Sequence, residues 1–285
     1  MPELPEVEGV VRALRPVVEG KTIEKVVLNK KIKDIRVLYS KTIVNEESEF
    51  IEKLTNKTIK KIDRRGKYLL FRFSSDLTMI SHLRMEGKYF VEPSTKEVEK
   101  HTHVVFDFTD GTSLRYNDVR KFGRMQLVKT GMEIQTAGLA KLGPEPKEKT
   151  FIVEDFSKNL KRRKKAIKNA LLDQTIVAGL GNIYADEVLW MSKIHPETPA
   201  NKLTEEEIEV LRDNIIKELA LATEAGGTTI RSYTDAFRHS GGFQFSLHAY
   251  QRTGDPCERC GTPIQRIVVG QRGTHFCPKC QVVKS

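Results

Sequence analysis

Residues 257–280 read CERCGTPIQRIVVGQRGTHFCPKC and contain all four cysteines of the chain. The pairs Cys257/Cys260 and Cys277/Cys280 each have Cys-x-x-Cys spacing, and 16 residues separate the pairs. Each pair bends the backbone so that two thiolates reach one ion, and two pairs complete a tetrahedral four-cysteine zinc site. A closed four-thiolate shell leaves no open position, so one structural Zn²⁺ is expected.

A hairpin is expected between the two cysteine pairs. β-prone Ile267–Val269 and Thr274–Phe276 flank the glycine-containing stretch Gly270–Gly273. Disulfide bonds are the alternative use of four cysteines. They are disfavoured because the acidic N-terminus lacks the apolar segment of a secretion signal.

The composition favours a globular protein with a polyanionic partner. The 285 residues allow two domains, and 48 Lys and Arg against 38 Asp and Glu give a net charge of +10. A solvated basic surface is the alternative reading of that charge. No apolar run approaches the roughly 20 residues of a membrane helix, so no membrane partner and a cytoplasmic location are expected. Nothing indicates an oligomer, so a monomer is expected.

The apolar pattern changes along the chain from β-rich to helical. Apolar residues at three- and four-residue steps predict a helix over 3–19, and short strands between turns predict a β-sandwich or a β-barrel over 22–130. Gly143-Pro144-Glu145-Pro146 breaks any helix. A capping box at Thr204–Glu207 then starts a helix that ends at Gly226-Gly227.

These patterns predict an α+β protein of two domains. Residues 1–130 form the N-terminal β-sandwich domain preceded by a helix, and residues 131–149 form a linker. Residues 150–247 form a helical domain, and residues 248–285 form the four-cysteine zinc-finger hairpin.

The second residue becomes chemically unusual if Met1 is removed. Pro2 then carries a secondary amine that can attack an electrophilic carbon and form an iminium. Glu3 lies beside it and can transfer protons. The dipole of the following helix disfavours an ammonium at this end. An ordinary helix-start proline is the alternative.

Two segments of the second domain indicate phosphate binding. Lys158–Lys168 reads KNLKRRKKAIK and is expected to form a basic helix, although such runs are usually solvated. Gly179-Leu180-Gly181-Asn182 then precedes a helix, where backbone amides can approach an anion.

Two loops of the first domain pair cations with large apolar side chains. They read HLRMEG at 82–87 and DVRKFG at 118–123. Met85 and Phe122 are either core residues or wedges inserted into a base stack, with Arg120 in the place of an extruded base.

Seven motifs together resemble the bacterial formamidopyrimidine-DNA glycosylase (Fpg) family along the whole chain. They are PELPEVE at 2–8, RRGKYL at 64–69, HLRMEG at 82–87, DVRKFG at 118–123, LGPEP at 142–146, AGLGNIYADE at 178–187 and QRGTHFCPKCQ at 271–281. The resemblance implies an enzyme of base-excision repair that removes oxidised purines from double-stranded DNA and cleaves the strand by β,δ-elimination. It also implies that the helical domain contains a helix–two-turn–helix element.

The resemblance implies four catalytic residues. Pro2 would attack C1′ of the damaged nucleotide, and Glu3 would donate a proton to open the sugar. Lys67 would assist β-elimination, and Arg272 would assist δ-elimination.

The resemblance also implies DNA contacts. Met85, Arg120 and Phe122 would fill the gap left by the flipped base. The other expected contacts are His82, His101, Arg163, Lys168 and Asn182, of which Lys168 and Asn182 would hold phosphates. Ala236–Gln251 corresponds to the loop that covers the lesion.

Two other functions stay open from the sequence. An endonuclease VIII-like enzyme would prefer oxidised pyrimidines, although its start typically reads PEGPE rather than PELPE. A protein that binds lesions without chemistry would share the basic charge and the zinc hairpin, but it would not need a terminal amine.

Overall fold

The structure is a computed structural model that describes residues 1–18, 31–228 and 241–284, with the backbone of two short strands in between. The chain forms two compact units. The first contains Met1–Ala140 and Gly226–Gly242, and the second contains Lys141–Ala225 and Phe243–Ser285. In the expected lesion loop 236–251, residues 236–240 lie outside the described residues, as does residue 19 of the expected first helix.

The described residues form six α-helices and twelve strands. The helices are α1 (Leu4–Val18), α2 (Glu47–Leu54), α3 (Val153–Lys161), α4 (Ile167–Leu171), α5 (Asn182–Met191) and α6 (Glu205–Glu224). The first-unit strands are β1 (Thr22–Ile23), β2 (Val26–Val27), β3 (Ile32–Val37), β4 (Ile59–Arg65), β5 (Tyr68–Phe73), β6 (Leu77–His82), β7 (Lys88–Pro93), β8 (Thr102–Phe108), β9 (Thr112–Asn117) and β10 (Arg124–Lys129). The second unit contains β11 (Gln265–Val269) and β12 (Arg272–Phe276).

Two four-stranded antiparallel sheets form the first unit, in the orders β10-β6-β5-β4 and β3-β8-β9-β7. Their facing side chains share one core, in which Phe71 of β5 lies 5.4 Å from Tyr89 of β7 between ring centroids. Val7, Val11 and Leu14 of α1 are fully buried in the same core. Burial of this apolar stripe holds α1 against the sheets. The predicted α+β fold with a β-sandwich after a helix is confirmed.

The predicted linker of residues 131–149 is divided between the two units after Ala140. Glu133 is buried and forms an ion pair with Arg72 in the first unit. Gly143 donates its N–H to Gln174 O at 2.8 Å in the second unit, and a Cβ at Gly143 would lie 2.5 Å from Thr175 O. Each half is therefore part of the unit that it contacts.

The second unit contains the predicted helices and hairpin, but the basic run is not one helix. α3 ends at Lys161 and α4 begins at Ile167. Between them, Lys165 O accepts the N–H of Ala200 at 2.9 Å, and Ile167 donates its N–H to Thr198 O at 2.8 Å. These backbone bonds to a distant segment replace helical ones, so the expectation of a basic helix over 158–168 is wrong.

The predicted helix end and hairpin are confirmed. Thr204 forms a reciprocal capping box with Glu207, and α6 stops just before Gly226, which has φ of +78°. β11 and β12 pair with Val269 opposite Arg272. Among the described residues, no helix is both long and apolar enough to cross a membrane.

Candidate functional site

One carboxylate holds the start of the chain. Glu6 Oε2 accepts the backbone N–H of Glu3 at 2.8 Å. Its Oε1 accepts the backbone N–H and the hydroxyl of Thr228 at 2.8 and 3.0 Å. Pro2, Glu3 and Glu6 are all buried. The segment before α1 is therefore fixed rather than frayed, as free termini usually are.

The surroundings of the N-terminus favour a neutral amine. Burial lowers the pKa of the Met1 amino group, and the positive charge of Lys67 lowers it further. The carboxylates of Glu3 and Glu6 act in the opposite direction without reversing the net shift. An amine at this end of the chain therefore more readily has the free lone pair of a nucleophile.

A two-residue turn positions Lys67. The β4–β5 pairing ends with Arg65 opposite Tyr68, which leaves Gly66 and Lys67 as the turn. Gly66 has φ of +55°, a conformation that glycine adopts without a steric penalty. Lys67 is buried, and its charge acts on both the Met1 amino group and His82. The structure therefore brings Pro2, Glu3, Lys67 and His82 into one region.

His82 at the end of β6 is a neutral imidazole. Burial lowers its pKa to about 3, and the charges of Arg84 and Lys67 contribute in the same direction. Its Nδ1 accepts the N–H of Arg84 at 2.9 Å, so Nε2 carries the proton. The ring packs edge-on against Tyr68, with 4.5 Å between centroids. His82 is thus a fixed neutral donor in the Lys67 region.

Asp118 organises the loop that presents Arg120 and Phe122. Its Oδ1 accepts the N–H of Arg120 at 3.0 Å, and Oδ2 accepts those of Phe122 and Gly123 at 2.9 and 2.8 Å. Arg120 and Phe122 are exposed, and the guanidinium lies 4.8 Å from the Phe122 ring centroid. A Cβ at Gly123 would lie 1.6 Å from the Tyr116 hydroxyl. A buried carboxylate thus holds an exposed cation and ring together.

His101 is hydrogen-bonded to the Asp118 loop, whereas Met85 lies in a separate turn at residues 84–86. His101 O accepts the N–H of Asp118 at 3.0 Å, and His101 has φ of +68°. Met85 is half-buried in the turn at 84–86, which the N–H of Gly87 closes onto Leu83 O at 3.0 Å. His101 and Arg120 are therefore positioned through Asp118.

Lys168, an expected phosphate contact, lies in the interior of the second unit. Its side chain is fully buried, and Nζ donates to Asp186 Oδ1 at 2.6 Å, Thr274 Oγ1 at 2.8 Å and Gly273 O at 3.1 Å. Asp186 Oδ2 accepts the N–H of His275 at 2.9 Å. The ammonium is enclosed by protein acceptors, and it joins α4 and α5 to β12.

Arg272 lies on β12, and Asn182 lies on α5, which Lys168 joins to β12. Arg272 is exposed at the first position of β12, directly after the turn. Asn182 begins α5 and donates from Nδ2 to Gly273 O at 3.0 Å. A Cβ at Gly270 would lie 2.1 Å from Asn169 Oδ1, so the hairpin turn packs directly on α4. Asn182 therefore contacts the residue that follows Arg272 in β12.

Arg163 lies in the connection between α3 and α4. It is half-buried, and its NH1 donates to Asn159 O at 2.8 Å. Its NH2 lies 3.9 Å from Asp173 Oδ2. These contacts leave the guanidinium on the surface side of the connection, where neighbouring Lys164 is exposed.

The four cysteines form one cluster. The Sγ atoms of Cys257, Cys260, Cys277 and Cys280 all lie within 4.8 Å of one another, and none forms a disulfide. Trp190 Nε1 donates to Cys257 Sγ at 3.4 Å, an interaction that favours the thiolate. The cluster could hold a metal ion.

Sequence reasoning missed the buried carboxylates that organise these sites. They are Glu6, Asp118, Asp186 and Glu187. Glu187 accepts the backbone N–H groups of His248, Ala249 and Tyr250 at 2.7, 2.9 and 2.7 Å. Each acid lies inside a motif noted above. Glu6, Asp186 and Glu187 accept from groups that are distant in sequence, which the motif does not reveal, whereas the acceptor role of Asp118 within its own loop could have been inferred from the loop sequence.

Three family models match successive parts of the chain. The model of the formamidopyrimidine-DNA glycosylase N-terminal domain matches residues 1–125, and that of the H2TH domain matches residues 142–234. The model of the zinc finger found in FPG and IleRS matches residues 254–282.

Named relatives and solved structures match over nearly the full length. A formamidopyrimidine-DNA glycosylase of Ligilactobacillus salivarius is 95% identical over 285 residues, which is 100% of both chains. Wild-type Lactococcus lactis Fpg bound to DNA containing N7-benzyl-Fapy-dG has a TM-score of 0.91 and 44% identity, over 99% of this chain and 100% of the other. The same protein with DNA containing an oxidised pyrimidine has a TM-score of 0.90 and 44% identity, with the same coverage.

Proposed function

The chain belongs to the formamidopyrimidine-DNA glycosylase family, and we propose that it removes oxidised purines from duplex DNA and then cleaves the strand. It is a base-excision-repair glycosylase with AP lyase activity. The observation that carries this proposal is the fixed N-terminal segment, where burial and Lys67 lower the pKa of an amine. We place the enzyme in the bacterial cytoplasm, where it acts on the nucleoid as a monomer.

The first chemical step joins the protein to the sugar. After removal of Met1, the Pro2 nitrogen bonds to C1′ as the bond from C1′ to the damaged base breaks. The base leaves with the bonding electrons and takes up the proton that the Pro2 nitrogen loses. Glu3 protonates O4′ as the sugar ring opens, which leaves an iminium between Pro2 and C1′. A stacked base cannot be reached, so the nucleotide must first be extruded.

Strand cleavage follows from the iminium. It acidifies the proton on C2′, and loss of that proton expels the 3′-phosphate by β-elimination, assisted by Lys67. A second elimination expels the 5′-phosphate, assisted by Arg272. Both residues are cations, which suits the stabilisation of phosphate leaving groups.

The proposed DNA-binding residues form two groups, one that fills the gap in the base stack and one that contacts the DNA backbone. Met85, Arg120 and Phe122 fill the gap left by the extruded nucleotide, as the exposed Arg120–Phe122 pair suggests. His82, His101, Arg163 and Asn182 contact the backbone. For Lys168 we propose a different role, which is to hold the zinc hairpin against α4 and α5.

One Zn²⁺ held by Cys257, Cys260, Cys277 and Cys280 completes the hairpin. Four thiol sulfurs within 4.8 Å of one another fit a tetrahedral ion with Zn–S bonds of about 2.3 Å. The ion stabilises the fold of the hairpin, and the chain itself supplies the groups that act on DNA.

Comparing lesion substrates tests the proposed specificity. Under single-turnover conditions we expect faster cleavage of a duplex with 8-oxoguanine than of one with thymine glycol. The reverse order would favour the endonuclease VIII-like alternative. The Lactococcus lactis relative has been solved with DNA that contains an oxidised pyrimidine, so this comparison is needed. Binding of both duplexes without cleavage would favour a non-catalytic lesion-binding protein. Pro2→Gly retains an amine and should retain partial cleavage.

A further inference from the structure

Arg64 connects helix α1 to the turn that contains Lys67. It lies on β4, and its Nε donates to Glu8 Oε2 at 2.8 Å. Its NH1 donates to Gly66 O at 3.0 Å, which is the carbonyl immediately before Lys67. The Arg64 side chain is 7% exposed, so both hydrogen bonds lie largely out of water.

Glu8 is the acceptor on α1, one and a half turns beyond the segment that contains Pro2 and Glu3. Its side chain is 15% exposed, and its second oxygen, Oε1, lies 3.4 Å from Arg12 Nε and 3.9 Å from Arg15 NH1. The Arg64 contact is the shorter and more buried one. Arg12 is a surface partner of the same carboxylate, with a side chain that is 53% exposed.

The position of the turn matters because Lys67 acts over a short distance. Its charge lowers the pKa of both the Met1 amino group and His82. Gly66 can adopt many backbone conformations, so the turn depends on its contacts for a single orientation. The bond from Arg64 to Gly66 O fixes the peptide unit that leads into Lys67, and the bond to Glu8 ties this peptide unit to α1.

A purely stabilising role would not require this geometry. A buried ion pair between α1 and β4 needs only the contact with Glu8, and such pairs often add little net stability. Arg15 already links the same two elements, since its Nε donates to Ile62 O at 2.9 Å. The second Arg64 bond is directed at the turn itself.

We propose that Glu8 and Arg64 are positioning residues that set the Lys67 ammonium relative to the N-terminal amine, and that they act on strand cleavage more than on base removal. This inference rests on the proposed role of Lys67 in β-elimination. Neither residue needs to touch DNA. Displacement of a catalytic group by about 1 Å can lower a rate by up to roughly 100-fold.

The test compares Arg64→Met with Arg12→Met, which removes the exposed partner of the same carboxylate, and with Lys67→Met. On a duplex containing 8-oxoguanine, total base excision is measured after alkali, and enzymatic strand cleavage is measured without it. We expect Arg64→Met to lower the ratio of cleavage to excision about 10-fold. Arg12→Met should leave the ratio unchanged. Partial unfolding lowers both measurements equally, so the ratio is insensitive to it.

The outcomes separate this inference from the proposed function. If Lys67→Met lowers the ratio and Arg64→Met does not, the positioning role is refuted while the role of Lys67 stands. If Lys67→Met leaves the ratio unchanged, the proposed role of Lys67 fails, and the inference fails with it. Should Arg64→Met not fold, Arg64→Lys serves instead. It keeps the charge, but one ammonium cannot reproduce the two directed bonds, so an intermediate ratio is expected and an unchanged one contradicts the inference.

Discussion

Replacement of Lys168 by methionine distinguishes a structural cation from a phosphate contact. Methionine keeps most of the apolar length of lysine and removes the ammonium. The wild-type ammonium donates to Asp186, Gly273 and Thr274 in the second unit. The substitution therefore leaves Asp186 as a buried carboxylate without its cation.

The expected loss of stability follows from these contacts. Removal of one partner of a buried ion pair typically costs about 3–5 kcal/mol. Asp186 keeps the N–H of His275, and Gly273 O keeps the amide of Asn182. Because these donors remain, the expected loss in the free energy of unfolding is near the lower end of that range, about 3 kcal/mol. This loss corresponds to a fall in Tm on the order of 10 °C.

Thermal unfolding tests whether Lys168 is a structural cation, and the salt dependence of DNA binding tests whether it contacts a phosphate. A residue that contacts no phosphate leaves the slope of log K against log salt unchanged, whereas loss of one phosphate contact reduces that slope by about 0.9. Arg163→Gln is the matched control, because it removes a cation from the same basic segment at a half-buried position. We expect Lys168→Met to lower Tm and keep the slope, and Arg163→Gln to reduce the slope with little change in Tm.

An unchanged Tm together with a reduced slope for Lys168→Met would show that Lys168 contacts a phosphate and does not hold the hairpin. A double variant, Lys168→Met with Asp186→Asn, adds a second check. It removes the uncompensated charge, so it should recover part of the lost stability. Strictly additive losses would contradict a direct interaction between the two side chains.

Three further predictions concern titration, packing and the metal. Burial raises the pKa of Glu218 from 4.5 to about 7, so the unfolded state ionises first and stability falls as pH rises between these values. Glu218→Gln should therefore raise Tm at pH 8 more than at pH 4.5, and an equal change at both would contradict the shift. Gly123→Ala places a Cβ 1.6 Å from the Tyr116 hydroxyl and should cost about 1–3 kcal/mol in denaturant unfolding, whereas a neutral effect would count against this packing. Removal of zinc by a chelator should change the emission of Trp190, the only tryptophan, through its bond to Cys257, and should weaken DNA binding. Full DNA affinity after zinc loss would argue against a structural ion.

Local patterns predicted the elements whose signals are contiguous in sequence. The β-prone segments on either side of Gly270–Gly273 identified the hairpin, and the capping box at Thr204 marked the start of α6. The basic run at 158–168 is not one helix, because Lys165 and Ile167 form backbone hydrogen bonds with Ala200 and Thr198 instead of helical ones. Charge composition carries no information about such partners, which are set by tertiary structure.

The same limit applies to the candidate site. Pro2, Glu3 and Lys67 belong to recognisable motifs, and the structure places them in one region. Lys168 ends a basic run and was expected to hold a phosphate, yet its acceptors Gly273 and Thr274 lie 105 and 106 residues away. Its burial depends on how the hairpin packs against α4 and α5, which no local pattern encodes.

The central claim is that the Pro2 amine forms the covalent bond to the sugar. The direct measurement is borohydride trapping with an 8-oxoguanine duplex, using protein whose mass shows that Met1 is absent, followed by peptide mapping of the adduct. We expect a trapped complex with DNA attached at Pro2, and its loss when an N-terminal extension blocks the amine. An adduct on Lys67, or no adduct with protein that begins at Pro2, would contradict it.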